Sequence, residues 1–529
     1  MGITGKGSMM RKLSTATVFA VSLFAAQFAS AQEVILKAND GSVDVSGELV
    51  SFEDGFYTIR TSLGQMRMSA ARVSCVGDAC PQISTAEADF TINGSDAIGD
   101  ELMPLMLEGY AASLDAESNL QTSNDASVKT ATLVADQGFG DDIATILIQS
   151  TGSSAGFAAL LDKSAEVAMS SRRITPDEAR ALRAAGAGNM VSINQEHVIG
   201  VDSLLILVSP TNPIETLSID QISGIYAGQI TNWAEVGGPD LPINVYSREE
   251  GSGTLTTFVD RTLAPRNLTV KPSATITFDN IEMSRAIVDD PAGIGFAGVA
   301  FQRGAKSLNV ITECGIRTRP DAFSSKTEEY PFQRRLYVYN REDNLSDQGQ
   351  ALINYMTSPE ADGVIEKSGF ISLGVERQPQ DNAGGRMRGL IRSTSDAYEV
   401  SLMRQLLVEL LDWERLSTTF RFSSGSAKLS NKSLDDLERM LDYLDLQPSG
   451  TQIAFVAFTD NVGPFASNQT LSEERAIEVA AALKEAAGGR LDGIDITTLG
   501  FGSLSPAACN DTDQGRAINR RVEVWIRNQ

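Results

Sequence analysis

The 529-residue sequence is poor in histidine (one), cysteine (four) and tryptophan (three), and its 44 basic residues are outnumbered by 68 acidic ones, leaving a formal charge of -24. So little positive charge argues against nucleic acid and against anionic membrane surfaces as partners, since both attract cationic surfaces. It does not exclude a small anion: amide N–H groups, hydroxyls and one arginine can hold an anion in a cleft whatever the distant surface carries. With His197 as the sole histidine and no cysteine spacing of the metal-ligand kind, no metal and no cofactor is expected. His197 has no visible catalytic partner, so a structural role is expected for it.

A long apolar run is also missing. Leu13 to Phe28 is too short and interrupted for a comfortable membrane span. It lies between Arg11-Lys12 and Ala29-Ser30-Ala31, the layout of an export signal cut near Gln32. Residues 1–31 carry Lys6, Arg11 and Lys12 and no acids, so their removal takes the charge from -24 to -27. No cysteine follows the leader, so no lipid attachment is expected there. An exported chain reaches a compartment where disulfides survive. Cys75 and Cys80 flank Val-Gly-Asp-Ala and could close a small local loop. Cys314 and Cys509 fall in different expected domains, and free buried thiols are the preferred reading for them.

At roughly 100–200 residues per domain, the length implies about three folded units. After the signal at 1–31, residues 32–83 read as a small β unit. Val34-Ile35-Leu36, Val43-Asp44-Val45 and Tyr57-Thr58-Ile59 are strand-like, with turn signals at Asp40-Gly41 and Asp54-Gly55. Residues 84–376 alternate strand and helix. Phe90-Thr91-Ile92, Thr145 to Ile148, Val167 to Met169 and the fully apolar Leu204 to Val208 are the strands. Leu102, Leu105, Met106 and Tyr110, and then Phe157 to Leu161, mark helices. This is an α/β pattern with parallel sheets, long enough for two lobes. Residues 377–415 read as a linker and a helix: Pro379, Asn382, Gly384, Gly385 and Gly389 punctuate the first part, and Leu402, Leu406 and Leu410 recur at helical spacing in the second. Residues 416–529 form another α/β pattern. Ser433 is placed as the cap of a helix bearing Leu434, Leu437, Leu441 and Leu444, Ile453 to Phe458 is a strand, Ala476 to Leu483 a helix, and Val522, Val524 and Ile526 a last strand.

Four loops of the region 84–376 share one chemistry. They are Asn93-Gly94-Ser95-Asp96, Thr151-Gly152-Ser153-Ser154-Ala155-Gly156, Ser170-Ser171-Arg172 and Arg248-Glu249-Glu250-Gly251-Ser252-Gly253-Thr254. Each follows a strand, and most precede a helix. Helix N-termini expose unpaired N–H groups and partial positive charge, glycine lets backbone approach an anion, hydroxyls add donors, and arginine adds a planar fork. Singly, such loops are plain helix caps; together, beyond the carboxyl ends of strands, they describe an anion cleft.

These motifs resemble the periplasmic phosphate-binding proteins of ABC importers. The likeness runs over roughly residues 86–375 and includes Gly228-Gln-Ile-Thr-Asn-Trp-Ala-Glu-Val-Gly-Gly238, Asp290-Pro-Ala-Gly-Ile-Gly-Phe296 and Tyr330-Pro-Phe-Gln-Arg-Arg335. It implies a two-lobed periplasmic-binding-protein fold holding a dehydrated oxyanion. The implied contacts are Ser95, Ser153, Ser154, Ser171, Arg248, Ser252, Gly253 and Thr254. The family's best-known members carry an aspartate where Ser171 stands, as acceptor for the proton of hydrogen phosphate. Asp96, inside the first loop, is the candidate replacement; a simple helix cap is its other reading. Arg172 and Arg173 are further candidates, with pairing to nearby acids the alternative.

In the C-terminal region Asp460 ends a strand, Arg475 is placed on the first turns of the next helix, and Ser472 is a fair cap for it. From spacing alone an internal Asp460–Arg475 salt bridge is favoured. The ordered series Thr459-Asp-Asn-Val-Gly463, Asn468-x-x-Leu-Ser472-x-x-Arg475 and Asn519-Arg-Arg-Val-Glu523 resembles the OmpA-like peptidoglycan-binding domain over roughly residues 416–529. That resemblance implies that Asp460 and Arg475 grip the diaminopimelate of the peptide stem, with Asn468, Arg520 and Arg521 ordering the loop and strand. The expected whole is a periplasmic oxyanion receptor, with phosphate as first ligand, anchored to peptidoglycan for uptake or sensing. Importer membrane subunits are candidate partners. A periplasmic phosphatase and a structural wall protein with a vestigial cleft are the alternatives.

Overall fold

A computed structural model describes residues 33–38, 44–53, 56–69, 73–77, 79–80, 88–123, 125–379, 396–429 and 431–528. The leader at 1–31, the turn signals Asp40-Gly41 and Asp54-Gly55, and the glycine-rich stretch 381–390 lie outside the described residues.

The N-terminal unit is a five-stranded antiparallel sheet. The strand Glu33–Ala38 pairs with Asp44–Glu53 on one side and Val73–Val76 on the other, and Phe56–Thr61 and Gly64–Ser69 continue the first side. Alternation does the folding: Val34 and Leu36 point into a small core with Tyr57 and Ile59, while Ile35 and Lys37 face out. A core this small gains from a covalent staple, and Cys75 and Cys80 form one, as their spacing suggested.

The central domain hangs on one long sheet that passes through both lobes. The strand Glu196–Val208 pairs antiparallel with Gln333–Asn340 over the span from Glu196↔Tyr339 to Ser203↔Gln333, and then with Gly293–Gly298. Strands Val167–Ser170, Phe90–Gly94, Asp142–Ser150, Val128–Val134 and Glu117–Thr122 extend the first lobe, and Asn244–Arg248 and Thr275–Thr277 the second. Within this sheet, among the described residues, parallel pairing is confined to the neighbours of Phe90–Gly94 and of Asn244–Arg248; a small second sheet adds the parallel pair Thr216–Ser218 and Asn309–Ile311. The sheet is therefore mixed, where the alternation of strand and helix predicts parallel order. The buried run Leu204–Val208 is apolar because both of its faces are covered, whichever way its neighbours run.

In the C-terminal domain, strands Glu414–Arg421, Arg521–Arg527, Gln452–Phe458 and Asp495–Gly500 form a sheet backed by helices Asn431–Asp445 and Phe465–Ala487. The strand Arg377–Pro379 pairs with Glu414–Arg421, and the helix Ala397–Glu409 buries Met403 and Leu406 against Phe458 and Trp525, so both ends of the 377–415 segment belong to this unit. Ser433 lies inside its helix rather than capping it, and Leu434 is exposed while Leu437, Leu441 and Leu444 are buried.

Cys314 and Cys509 are bonded to each other, which corrects the free-thiol reading. A turn of the second lobe docks on the loop before helix Asp513–Asn519 and brings the two Cα atoms to 5.5 Å, within disulfide reach. Spacing along the chain could not reveal a proximity created by domain docking. Arg415–Glu329 at 2.8 Å and Arg421–Glu328 at 3.2 Å join the same two bodies, and Arg439 donates to the Thr357 carbonyl of the first lobe at 3.2 Å.

Candidate functional site

Three of the four anion loops are tied together by backbone. The Ser95 N–H donates to the Met169 carbonyl at 2.9 Å, and the Gly152 N–H to the Gly94 carbonyl at 2.8 Å. Gly94 is required twice over: its φ is 141°, and a Cβ would stand 2.0 Å from the Met169 oxygen. The fourth loop arrives from the other lobe. Ser252 caps helix Gly253–Thr262 by accepting from Leu255 N–H, which leaves its O–H free to donate. Gly253 then meets both first-lobe serines; a Cβ there would lie 2.2 Å from Ser171 Oγ and 2.5 Å from Ser153 Oγ. Ser153 Oγ and Ser171 Oγ are 3.4 Å apart, and Ser171 N–H donates to Ser153 Oγ at 3.2 Å.

Two side chains that the sequence reading left unassigned complete this cluster. Arg334 Nη1 donates to Thr254 Oγ1 at 2.8 Å and to Ser171 Oγ at 3.3 Å, while its Nε and Nη2 hold Asp202 Oδ2 at 2.9 and 2.6 Å. Both are buried. A lone acid in the apolar run Val201–Val208, and an arginine on the strand that pairs with it, must neutralise each other, and that was the available signal.

Arg248 is buried at the end of its strand. Its Nη2 donates to Asp96 Oδ2 at 2.9 Å and to the Phe278 carbonyl at 3.0 Å, and Glu249 takes Nε at 3.0 Å; Nη1 has no partner. Burial alone would lower its pKa, but Asp96 and Glu249 outweigh burial and raise it. Asp96 does not cap the helical segment that follows but is its first residue, after Ser95, whose carbonyl accepts from Ile98 and Gly99 N–H; the Asp96 carboxylate accepts from Arg248 and, at 3.3 Å, from Asn280 Nδ2. Ser95 Oγ and Asn280 Oδ1 are buried without partners close by. Ser154, by contrast, is exposed and accepts from Arg172 at 3.0 Å. Arg172 and Arg173 pair with Glu178 and Glu196, the alternative reading for both. His197 hydrogen-bonds Asn340 at 2.9 Å, with burial lowering its pKa, which is a structural arrangement. The site's serines contact one another and a guanidinium, and no base that could take their proton is among those partners.

In the C-terminal domain Arg475 sits deep in helix Phe465–Ala487, as its eleventh residue and well past the position expected. Ser472 is interior to that helix too; its hydroxyl accepts from Gly502 N–H at 2.9 Å. Arg475 does not bridge to Asp460. Its Nε and Nη2 donate to the Ser426 and Ser423 carbonyls, its plane lies over Phe422, and Nη1 is buried without a partner. Burial, and then the nearby Arg520, pull its pKa down to about 10, with Asp460 opposing. Asp460 pairs instead with Arg520 at 2.7 Å. Asn468 Nδ2 donates to the Asp460 and Val462 carbonyls, fixing the loop as expected.

Residues 110–360 match the family model described as PBP superfamily domain, and residues 421–520 match the OmpA family. The chain joins a PBP-superfamily domain to an OmpA-family domain. The phosphate-binding protein PstS of Borreliella burgdorferi is 26% identical over 229 residues, covering 42% of this chain and 77% of that protein. PstS of Bacillus subtilis is 26% identical over 180 residues, 34% of this chain and 57% of that one. Outer membrane porin F of Pseudomonas aeruginosa is 37% identical over 112 residues, all within 21% of this chain and 31% of the porin. Among solved structures, an ABC-type phosphate transport receptor from Vibrio cholerae is 25% identical with a TM-score of 0.40, covering 54% of this chain and 99% of that one. The C-terminal domain of Helicobacter pylori MotB matches at 26% identity and a TM-score of 0.19, covering 21% of this chain and 85% of that one. The OmpA-family match contains Asp460 and Arg475, and the PBP-superfamily match contains Ser153, Ser171, Gly253, Thr254 and Arg334.

Proposed function

We propose that the chain is a binding protein, not an enzyme, which takes a tetrahedral oxyanion, phosphate first, in the cleft between its lobes. The observation that carries this reading is the meeting of the helix N-terminus at Gly253 with Ser153 and Ser171 of the opposite lobe. Backbone N–H groups, three hydroxyl-bearing residues and the buried Arg334 guanidinium meet there, and a second buried guanidinium, Arg248, ends the strand that leads into the Gly253 loop, which suits an anion stripped of water. The matched relatives named as phosphate-binding proteins point to the same ligand. In the OmpA-family domain, Asp460 and the buried, partly unpaired Arg475 supply a carboxylate for an ammonium and a guanidinium for a carboxylate, the pair that the zwitterionic centre of diaminopimelate needs. The chain then acts in the periplasm, at the wall, in phosphate uptake or sensing, with importer membrane subunits as the partner in uptake.

Titration calorimetry of the purified chain with phosphate and sulfate, beside pull-down by purified peptidoglycan, tests the reading. One high-affinity phosphate site and retention on murein are expected. No heat with any oxyanion would leave the structural-wall-protein alternative, and turnover of a phosphomonoester would leave the phosphatase.

A further inference from the structure

A cavity of about 510 Å³ lies where the PBP-superfamily domain meets the OmpA-family domain. Such a volume is in the range of small-ligand pockets. Six arginines line it: Arg172, Arg173, Arg261, Arg334, Arg335 and Arg421. Only two carboxylates do, Asp260 and Glu328, in a chain whose net charge is -24. The concentration of cations here runs against the composition of the whole molecule.

Five of the six guanidiniums have carboxylate partners. Arg172 holds Glu178 at 2.6 Å, Arg173 holds Glu196 at 2.8 Å, and Arg334 holds Asp202 at 2.6 Å. Glu328 is divided between Arg335, whose Nε is 2.9 Å away, and Arg421 at 3.2 Å. Arg261 is different. It makes no contact pair; Asp260 and Glu328 act on it only through space, and Asp260 is itself exposed. Its side chain is half-buried and lines the cavity, and that burial lowers its pKa. A half-buried guanidinium with no carboxylate in contact is a ready donor of charge-assisted hydrogen bonds to an anion in the cavity.

We infer that this junction cavity is a second anion-binding site, centred on Arg261 and completed by Arg421 of the OmpA-family domain, for a phosphate-type oxyanion such as phosphate or diphosphate. It is separate from the cleft: Arg248, Asp96 and Ser153 do not line it, and the Arg334 side chain stands between the two, donating to Thr254 and Ser171 on the cleft side. Because Arg421 and Phe422 come from the second domain, the site exists only while the two domains are docked.

Equilibrium dialysis of the full, disulfide-intact chain with radiolabelled inorganic phosphate at low ionic strength reads the number of sites. Two phosphates per chain are expected in the parent. Arg248→Ala should keep one, and Arg261→Gln should keep one with the second at least tenfold weaker. Arg421→Gln, on the other domain, should weaken the same second site, and circular dichroism with thermal melts checks that each variant folds. Should the cleft bind no phosphate at all, the parent would bind a single ion that Arg248→Ala leaves and Arg261→Gln removes, so this inference can stand where the cleft reading fails. A parent that binds one phosphate, lost in Arg248→Ala and untouched in both Arg261→Gln and Arg421→Gln, overturns it. So does an Arg261→Gln variant that only slows phosphate association, which makes the cavity an entrance and not a site.

Discussion

Replacing Gly253 by alanine separates the chemistry of the cleft from the stability of the fold. Gly253 begins helix Gly253–Thr262 and its φ is not positive, so alanine suits the backbone, and helix propensity alone favours it by up to about 1 kcal/mol. The added methyl, however, would stand 2.2 Å from Ser171 Oγ and 2.5 Å from Ser153 Oγ, over an ångström inside ordinary contact at the first. Something must give. If the serines rotate, each hydroxyl withdrawn from the anion forfeits roughly 0.5–1.5 kcal/mol. If the lobes part, overpacking of this kind costs about 1–3 kcal/mol. Either way the cost falls on the arrangement in which the two lobes meet, the one proposed to hold the anion, so phosphate affinity should drop by roughly 5- to 150-fold. Calorimetric titration gives the affinity, and the melting temperature of the ligand-free variant should equal or exceed the parent's. An affinity within about twofold of the parent, in a folded variant, would show that Gly253 does not face the ligand and would refute the convergence argument.

Other expectations follow from the same geometry. Asp96→Asn should shift the preference between phosphate and sulfate, since the carboxylate beside Arg248 is the available proton acceptor; an unchanged preference by calorimetry ends that idea. Asp460→Ala and Arg475→Ala should each abolish pull-down by purified peptidoglycan, and full retention in both removes the clamp. Cys314→Ser with Cys509→Ser opens a 195-residue loop, worth up to about 5 kcal/mol in chain entropy, and should split or lower the calorimetric unfolding transition; a superimposable thermogram refutes it. Burial by itself would raise the Glu328 carboxyl, but Arg335 and Arg421 hold it below its ordinary 4.5. Its folded pKa being depressed, the stability it lends is present above pH about 4.5 and is lost as the pH falls through the folded value. Glu328→Gln should therefore flatten the fall in melting temperature on acidification; an unchanged slope speaks against it.

Much of the fold was written in local pattern. Val34 and Leu36 alternate into their core, and Leu437, Leu441 and Leu444 line one helix face, because burial imposes those periods directly. Strand direction was not legible: Leu204–Val208 is equally apolar beside a parallel or an antiparallel neighbour. At the site, loop chemistry located Ser153, Ser171, Gly253 and Thr254, which do meet, because glycine and hydroxyls ahead of a helix have a local signature. Arg334 and Asp202 lacked one; each looks like an ordinary charged residue until the sheet register sets them side by side. Arg475 was placed too early in its helix, since Ser472 looks like a cap and is instead a side chain supporting Gly502. The bond between Cys314 and Cys509 depended on how two finished domains dock, which no window of sequence contains.

On the proposed function, that cross-link also decides what sets the reach of the protein. A tether of a dozen or more residues ordinarily gives its cargo a broad range of distances that widens with contour length. Here no such tether sets the distance: the strand Arg377–Pro379 already pairs inside the second domain, and the bond at Cys509 bolts that domain to the second lobe. On the proposed reading, a receptor so held above the glycan mesh would deliver its ion only to a membrane acceptor on that one line of approach, and its local advantage would be all or nothing rather than graded.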